Sequence, residues 1–207
     1  VDFYNTVVGK PFRFENTSTH VLGLESGYED IWNKRFEKSK RRQTRKAKRE
    51  GYSVTEARSV DEVRSYYAIY EERCREWRQR LRYPENLFVG LFSRGGGGVR
   101  LFLARLGDEL VGGHLNFYYK DAVIAWNGVT REIGSGNQAS TLLYSECIRD
   151  ACERGFRQYN LGGSLGKVSL ADYKTALGGT PYQYRTAVWR SFAGRVASAL
   201  TRFVSKR

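Results

Sequence analysis

Three β-prone runs in the middle of the chain, Val99–Leu106, Glu109–Tyr119 and Ala122–Thr130, are separated only by Gly107-Asp108 and Lys120-Asp121. A two-residue polar connection reverses a chain, whereas a parallel partner needs a crossover of a dozen residues or more. The three runs therefore read as an antiparallel meander. Every other segment has to pack on that sheet or extend it.

Upstream, residues 19–24 (THVLGL) read as a short strand. Ser26-Gly27-Tyr28-Glu29 has the S-x-x-E pattern of a capping box, which predicts one helix running to Glu50 and stopped by Gly51. Residues 52–58 alternate like a strand. A second capping box, Ser59-Val60-Asp61-Glu62, opens a helix whose Val60, Val63, Tyr67, Tyr70, Cys74, Trp77 and Leu81 form an apolar stripe. Pro84-Glu85 starts another helix with Leu87, Phe88, Leu91 and Phe92 on its apolar face, and the glycines at 95–98 read as a flexible turn. Beyond the meander the pattern gives a helix over 138–154, a strand over 157–161, a helix over 169–177 and a strand over 181–190. Residues 191–207 form an amphipathic basic helix with Phe192, Val196, Leu200 and Phe203 on one side. The strand after the long helix joins the meander in parallel, so the expected class is α/β, a mixed, largely antiparallel sheet flanked by helices.

The 207 residues suit one domain, with 1–20 as an N-terminal stub, 21–190 as the body and 191–207 as the terminal helix. Thirty-five basic against 22 acidic residues leave a net charge of +13. That bias favours phosphates, nucleic acid, nucleotide cofactors or acidic lipid as partners. Cys74, Cys147 and Cys152 form no CxxC pair and only two histidines accompany them, so no metal site is expected. Unpaired apolar thiols, with no signal-peptide core, indicate a cytoplasmic chain. There is no methionine, even at position 1, and the chain reads as a fragment, a processed chain or an alternative start.

Four segments carry candidate chemistry. Arg131-Glu132-Ile133-Gly134-Ser135-Gly136 follows a strand and leads through Asn137 into the helix that begins at Gln138. Glycines there let a backbone approach phosphate, and the helix start offers free N–H groups. A strand over 157–161 then ends in Asn160-Leu161-Gly162-Gly163-Ser164, and ligands gather beyond the carboxyl ends of such strands. Next comes Ala171-Asp172-Tyr173-Lys174-Thr175-Ala176-Leu177-Gly178-Gly179. Finally, residues 34–49 hold ten basic side chains and one acid, Glu37, which favours an anionic partner.

In their order and spacing these segments resemble the Fem-like branch of the GNAT superfamily. Arg131, Gly134 and Gly136 match the R-x-x-G-x-G pyrophosphate loop, and the cofactor-binding set continues to Asn137 and Gln138. Residues 155–164 match a segment ending in Asp-Phe/Leu-Gly-Gly, so Asn160, Gly162, Gly163 and Ser164 are substrate-binding candidates. Asn160 stands where the family shows Asp, and an amide can orient a substrate but cannot take its proton. Tyr173 and Lys174 match the Phe/Tyr-Lys-x-x-Phe/Leu-Gly-Gly signature, whose lysine lies near the acyl donor. Trp32 to Gly51 resembles the family's basic helix, with Arg45 and Lys46 as substrate contacts.

The resemblance implies the acyl-CoA N-acyltransferase fold and transfer of an acyl or aminoacyl group to an amine, such as a cell-wall or polysaccharide precursor. The donor is acyl-CoA or aminoacyl-tRNA, and no metal is needed. A cation such as Lys174 would steady developing negative charge. Tyr173 and His114, the latter mid-strand in Gly112-Gly113-His114, are candidates for proton transfer. Fem enzymes contain two such halves, and this chain resembles the half that holds aminoacyl-tRNA, with a missing N-terminal half or a partner chain implied. The C-terminal helix allows peripheral contact with the acidic inner face of a membrane. Two other readings stay open: a non-catalytic nucleic-acid-binding domain that uses the basic helix, and an inactive half of a two-domain transferase.

Overall fold

In a computed structural model, described over residues 13–132, 138–164 and 166–189, the chain opens with β1 (Arg13–Gly23), α1 (Gly27–Asp30), a π turn (Ile31–Arg35) and α2 (Lys38–Arg49). Next come β2 (Tyr52–Glu56), α3 (Val60–Glu76), α4 (Glu85–Arg94) and a 3-10 turn (Gly96–Gly98). The meander follows as β3 (Val99–Leu106), β4 (Glu109–Tyr119) and β5 (Ala122–Thr130). The described chain closes with α5 (Gln138–Glu153), β6 (Gln158–Asn160), α6 (Val168–Ala176) and β7 (Thr180–Val188).

The strand order is β2-β3-β4-β5-β6-β1-β7, a seven-stranded, mostly antiparallel sheet. The meander keeps the bounds expected from its two turns, and Val99 faces Phe117 while Gly112 faces Thr130. α5 then carries the chain back so that β6 pairs with β5 in parallel, with Ala122 opposite Gln158 and Ile124 opposite Asn160. Side chains alternate across the meander. Phe102 and Ala104 join the core beneath α5, with Leu22, Ile31, Leu142 and Ile148, while Leu101 and Leu103 join the core beneath α3 and α4, with Tyr66, Ile69 and Phe88. Each sheet face is thus closed by its own helices.

The chain divides into two compact units, residues 19–181 and residues 1–18 with 182–207. The larger unit holds all of the helices described here. In the smaller, the Thr17 and Thr186 hydroxyls lie 3.1 Å apart. The terminal helix expected at 191–207 lies outside the described residues.

One expectation fails: residues 26–50 are not a single helix. Ser26 adopts helical backbone angles and its side chain caps nothing. After α1 the chain widens into the π turn, in which Phe36 N–H donates to Ile31 O. Glu37 is then extended, and its N–H donates to Ala176 O at 2.8 Å. The Arg41 guanidinium takes the role of a cap by donating to the carbonyls of Trp32, Asn33 and Phe36. A contact with α6 therefore overrides local helix propensity. Gly51 does end α2, at φ +87°.

The second capping box does form on one side. The Ser59 hydroxyl accepts from Glu62 N–H at 3.2 Å, while the Glu62 carboxylate accepts from Arg58 N–H rather than from Ser59. α3 ends at Glu76, one residue short of Trp77, because Arg78 turns to φ +52°. Trp77 and Leu81, the last members of the expected stripe, are exposed.

The two serines make a paired prediction. Ser59→Ala should lower unfolding free energy by about 1 kcal/mol, the usual cost of a lost N-cap. Ser26→Ala should change it by less than about 0.5 kcal/mol, as expected at a site without a cap bond. Urea denaturation of both variants checks this, and equal losses would contradict the assignment of the caps.

Candidate active site

β5 and β6 pair over three residues and then part. β5 runs on to Thr130, while β6 stops at Asn160 and Leu161 N–H turns instead to His20 O at 2.8 Å. Beside the continuing half of β5 lies a cleft of about 700 Å³. Gly113, His114, Gly128, Val129 and Thr130 form its floor; Ser140, Leu143 and Tyr144 of α5 and Leu170 and Tyr173 of α6 form one wall. Glu37 and Lys40 at the start of α2, Asp172 of α6, and Arg73 and Trp77 at the end of α3 also line the cleft, with Glu132.

His114 lies on this floor with its ring against Tyr144, centroids 4.6 Å apart. A side chain at Gly128 would put its Cβ 2.0 Å from His114 Cδ2, so only glycine leaves room for the imidazole. Burial, then the Lys174 ammonium, lowers the His114 pKa to about 4. The ring is therefore neutral at physiological pH and a weak base.

Lys174 is buried in α6 and does not line the cleft. Its ammonium donates to Gly162 O at 2.8 Å and to Gly163 O at 2.7 Å. Burial lowers its pKa to about 8. The structure thus places Lys174 behind the Gly-Gly turn, as a clamp on its carbonyls. Asn160 serves the same turn: its Oδ1 accepts from Gly162 N–H at 2.9 Å and from the Thr19 hydroxyl at 2.5 Å. The Ser164 hydroxyl is buried without a hydrogen-bond partner among the described residues.

Tyr173, adjacent to Lys174, does reach the cleft. Its hydroxyl lies 3.3 Å from Ser140 Oγ and 3.1 Å from Thr141 Oγ1, and burial raises its pKa, so it is a proton donor rather than a base. Lys40, which sequence reasoning passed over, sits 4.2 Å above the Tyr173 ring. Burial lowers the Lys40 pKa against the opposing pull of Glu37.

The remaining candidates are dispersed. Arg131 is fastened to Glu72 through both Nε and Nη2, the latter at 2.8 Å, and to Leu110 O through Nη1 at 3.1 Å. Its guanidinium edge is thereby occupied by protein. Gly134, Gly136 and Asn137 lie outside the described residues, and Gln138 is buried at the start of α5. Arg45 lies over Trp32 at 5.7 Å and Lys46 pairs with Glu50 at 3.5 Å, both on α2 and neither lining the cleft. Arg73 was also missed, although it fits the 3–4 spacing of Tyr66, Tyr70 and Trp77 and so stands on the buried face of α3. No helix of the described residues is long and apolar enough to cross a membrane, and no cluster that could hold a metal occurs among them.

In sequence, residues 34–183 match the family described as "Acetyltransferase (GNAT) domain". No curated protein matches the chain. Among solved structures it is similar to FemX, at TM-score 0.70 and 12% identity, covering 83% of this chain and 61% of that one. It is also similar to L-PGS from Bacillus licheniformis, at TM-score 0.64 and 13% identity, covering 95% and 68%. The C-terminal domain of a putative lysylphosphatidylglycerol synthetase from Agrobacterium fabrum gives TM-score 0.63 and 10% identity, covering 91% and 65%. At these identities the likeness is one of fold, and the chain spans about three fifths of FemX.

The Lys174 clamp makes a pH prediction. The unfolded chain holds this proton up to the ordinary value of 10.5, whereas the folded chain releases it near 8. Between those values the unfolded state binds more protons, so this group makes stability rise with pH from about 8 to 10.5. The buried thiols and tyrosines, whose pKa values burial raises, pull stability the other way over this range but are common to both proteins, so the unfolding free energy of the wild type relative to that of Lys174→Met should rise across pH 8, 9 and 10. Parallel slopes would contradict the lowered pKa.

Proposed function

Because the chain belongs to the acetyltransferase (GNAT) domain family, we propose that it is an N-acyltransferase that moves an aminoacyl or other acyl group from an anionic carrier to an amine held in the cleft beside β5. The observation that carries the reading is the parting of β5 and β6 next to that cleft, with the start of α5 at its side. A strand end and a helix start together offer backbone groups to an ester and its phosphates.

In this reading the amine nitrogen forms a C–N bond with the donor carbonyl, the carbonyl–oxygen or carbonyl–sulfur bond breaks, and the nitrogen's proton ends on the departing atom. Neutral His114 orients the reactants on the floor. The Tyr173 hydroxyl donates toward the departing atom. Lys174 fixes the Gly162–Gly163 turn and adds positive potential from behind it.

Of the two carriers, aminoacyl-tRNA is favoured over acyl-CoA. The Arg131 guanidinium, which would be the loop's side-chain contact to a diphosphate, is occupied by Glu72. Meanwhile α2 presents Lys38, Arg42, Arg45 and Arg49 at the surface, a spread of cations suited to a nucleic-acid backbone. A cell-wall amine is the acceptor to try first, from the resemblance to Fem enzymes.

The test is turnover and binding with charged tRNA and with acetyl-CoA, each over a range of salt. Charged tRNA should bind with a steep salt dependence, and replacing Arg42, Arg45 and Arg49 together by Gln should reduce the log–log slope by about 2–3, close to one for each phosphate no longer neutralised. Binding and turnover with acetyl-CoA alone would reverse the choice of carrier. Binding of tRNA with no transfer to any amine would favour a nucleic-acid-binding domain instead.

A further inference from the structure

Arg73 is nearly as buried as an apolar core residue, its side chain 7% exposed, yet it is one of the residues that line the cleft. A buried charge requires partners. It has two, each holding a different nitrogen: Nη1 donates to Glu76, and Nη2 donates to Glu132 at 2.9 Å. Nε–H is buried with no partner among the described residues. The guanidinium lies over the Trp77 ring at 4.7 Å, which holds its plane.

The same protein shows what a satisfied arginine looks like. Arg131 presents Nε and Nη2, the two donors on one edge of the guanidinium, to the single carboxylate of Glu72. That bidentate arrangement is the strong one for a carboxylate. Arg73 uses the equivalent edge by half, because Glu132 takes Nη2 while the buried Nε has no partner among the described residues. The Glu132 side chain is 79% exposed, so it can exchange this bond for water at small cost.

We propose that Arg73 is a specificity-determining residue that binds a carboxylate of the acceptor substrate through its Nε/Nη2 edge, and that Glu132 is a placeholder the substrate displaces. An arriving carboxylate makes two parallel bonds where Glu132 makes one. It also lies in the cleft, where the amine of the same molecule can reach the donor carbonyl. The acceptor class is therefore an amine that carries a carboxylate, such as an amino acid or a short peptide. The role of acceptor rests on the transferase reading; the carboxylate site does not.

Glycylglycine, its C-terminal amide and inorganic phosphate serve as probes, titrated calorimetrically into the whole chain with no donor present. Glycylglycine should bind at least tenfold more tightly than the amide. Glu132→Gln, a change at an exposed position, should tighten glycylglycine binding several-fold, because the competing carboxylate is gone. Arg73→Lys should weaken it, because an ammonium cannot form the fork. Equal binding of glycylglycine and its amide overturns the proposal, as does unchanged or weaker binding in Glu132→Gln. Tighter binding of phosphate than of glycylglycine, abolished in Arg73→Lys, overturns the carboxylate assignment in favour of a phosphate site. Because no donor is used, these outcomes are separate from success or failure of acyl transfer.

Discussion

The ammonium of Lys174 fixes the point on which the cleft depends. β6 is only three residues long and ends where β5 continues. A strand so short has few ladder bonds to hold its end. The carbonyls of Gly162 and Gly163 would be left open where the chain leaves the sheet, and two charge-assisted bonds from Lys174 satisfy them. The same side chain pins α6 to the end of β6, and so places Tyr173, the next residue back, against α5. One buried cation joins a strand end, a turn and a helix.

Burying that cation has electrostatic consequences. Both histidines, His20 and His114, have pKa values lowered first by burial and then by Lys174. The floor of the cleft is thus kept neutral while the region behind it is positive. Asn160 fits this arrangement. The amide oxygen accepts from Thr19 and Gly162 without adding a charge. The departure from the family's Asp is compatible with the packing, since both acceptor bonds are made by the amide oxygen.

Sequence reasoning succeeded where the determinant is local. The meander follows from two-residue turns, and the start of α3 from one serine hydroxyl. It failed where the determinant is distant. Nothing at Phe36 and Glu37 resembles a helix breaker; the break depends on Ala176 O, more than a hundred residues away in the chain. Arg131 looked like a phosphate contact because Glu72, its partner, lies 59 residues upstream. Lys174 was found by motif, but its direction, toward its own backbone rather than into the cleft, depends on how α6 packs. Arg73 was legible in principle: an arginine at an apolar-stripe position has to be paired, and that alone marks it.

Glu72 and Arg73 are consecutive on α3, and their partners Arg131 and Glu132 are consecutive after β5. The two pairs run in opposite polarity, one acid and one base on each side. They are not equivalent. Arg131 is gripped at three nitrogens and about two thirds covered, so that pair anchors the chain where it leaves the sheet. Glu132 holds by a single bond and is open to water. Exchange at Glu132 can therefore proceed while Arg131 stays in place. The anchor keeps the residue beside the cleft, and the weaker pair leaves a guanidinium edge that an entering anion can claim without loosening the fold around it.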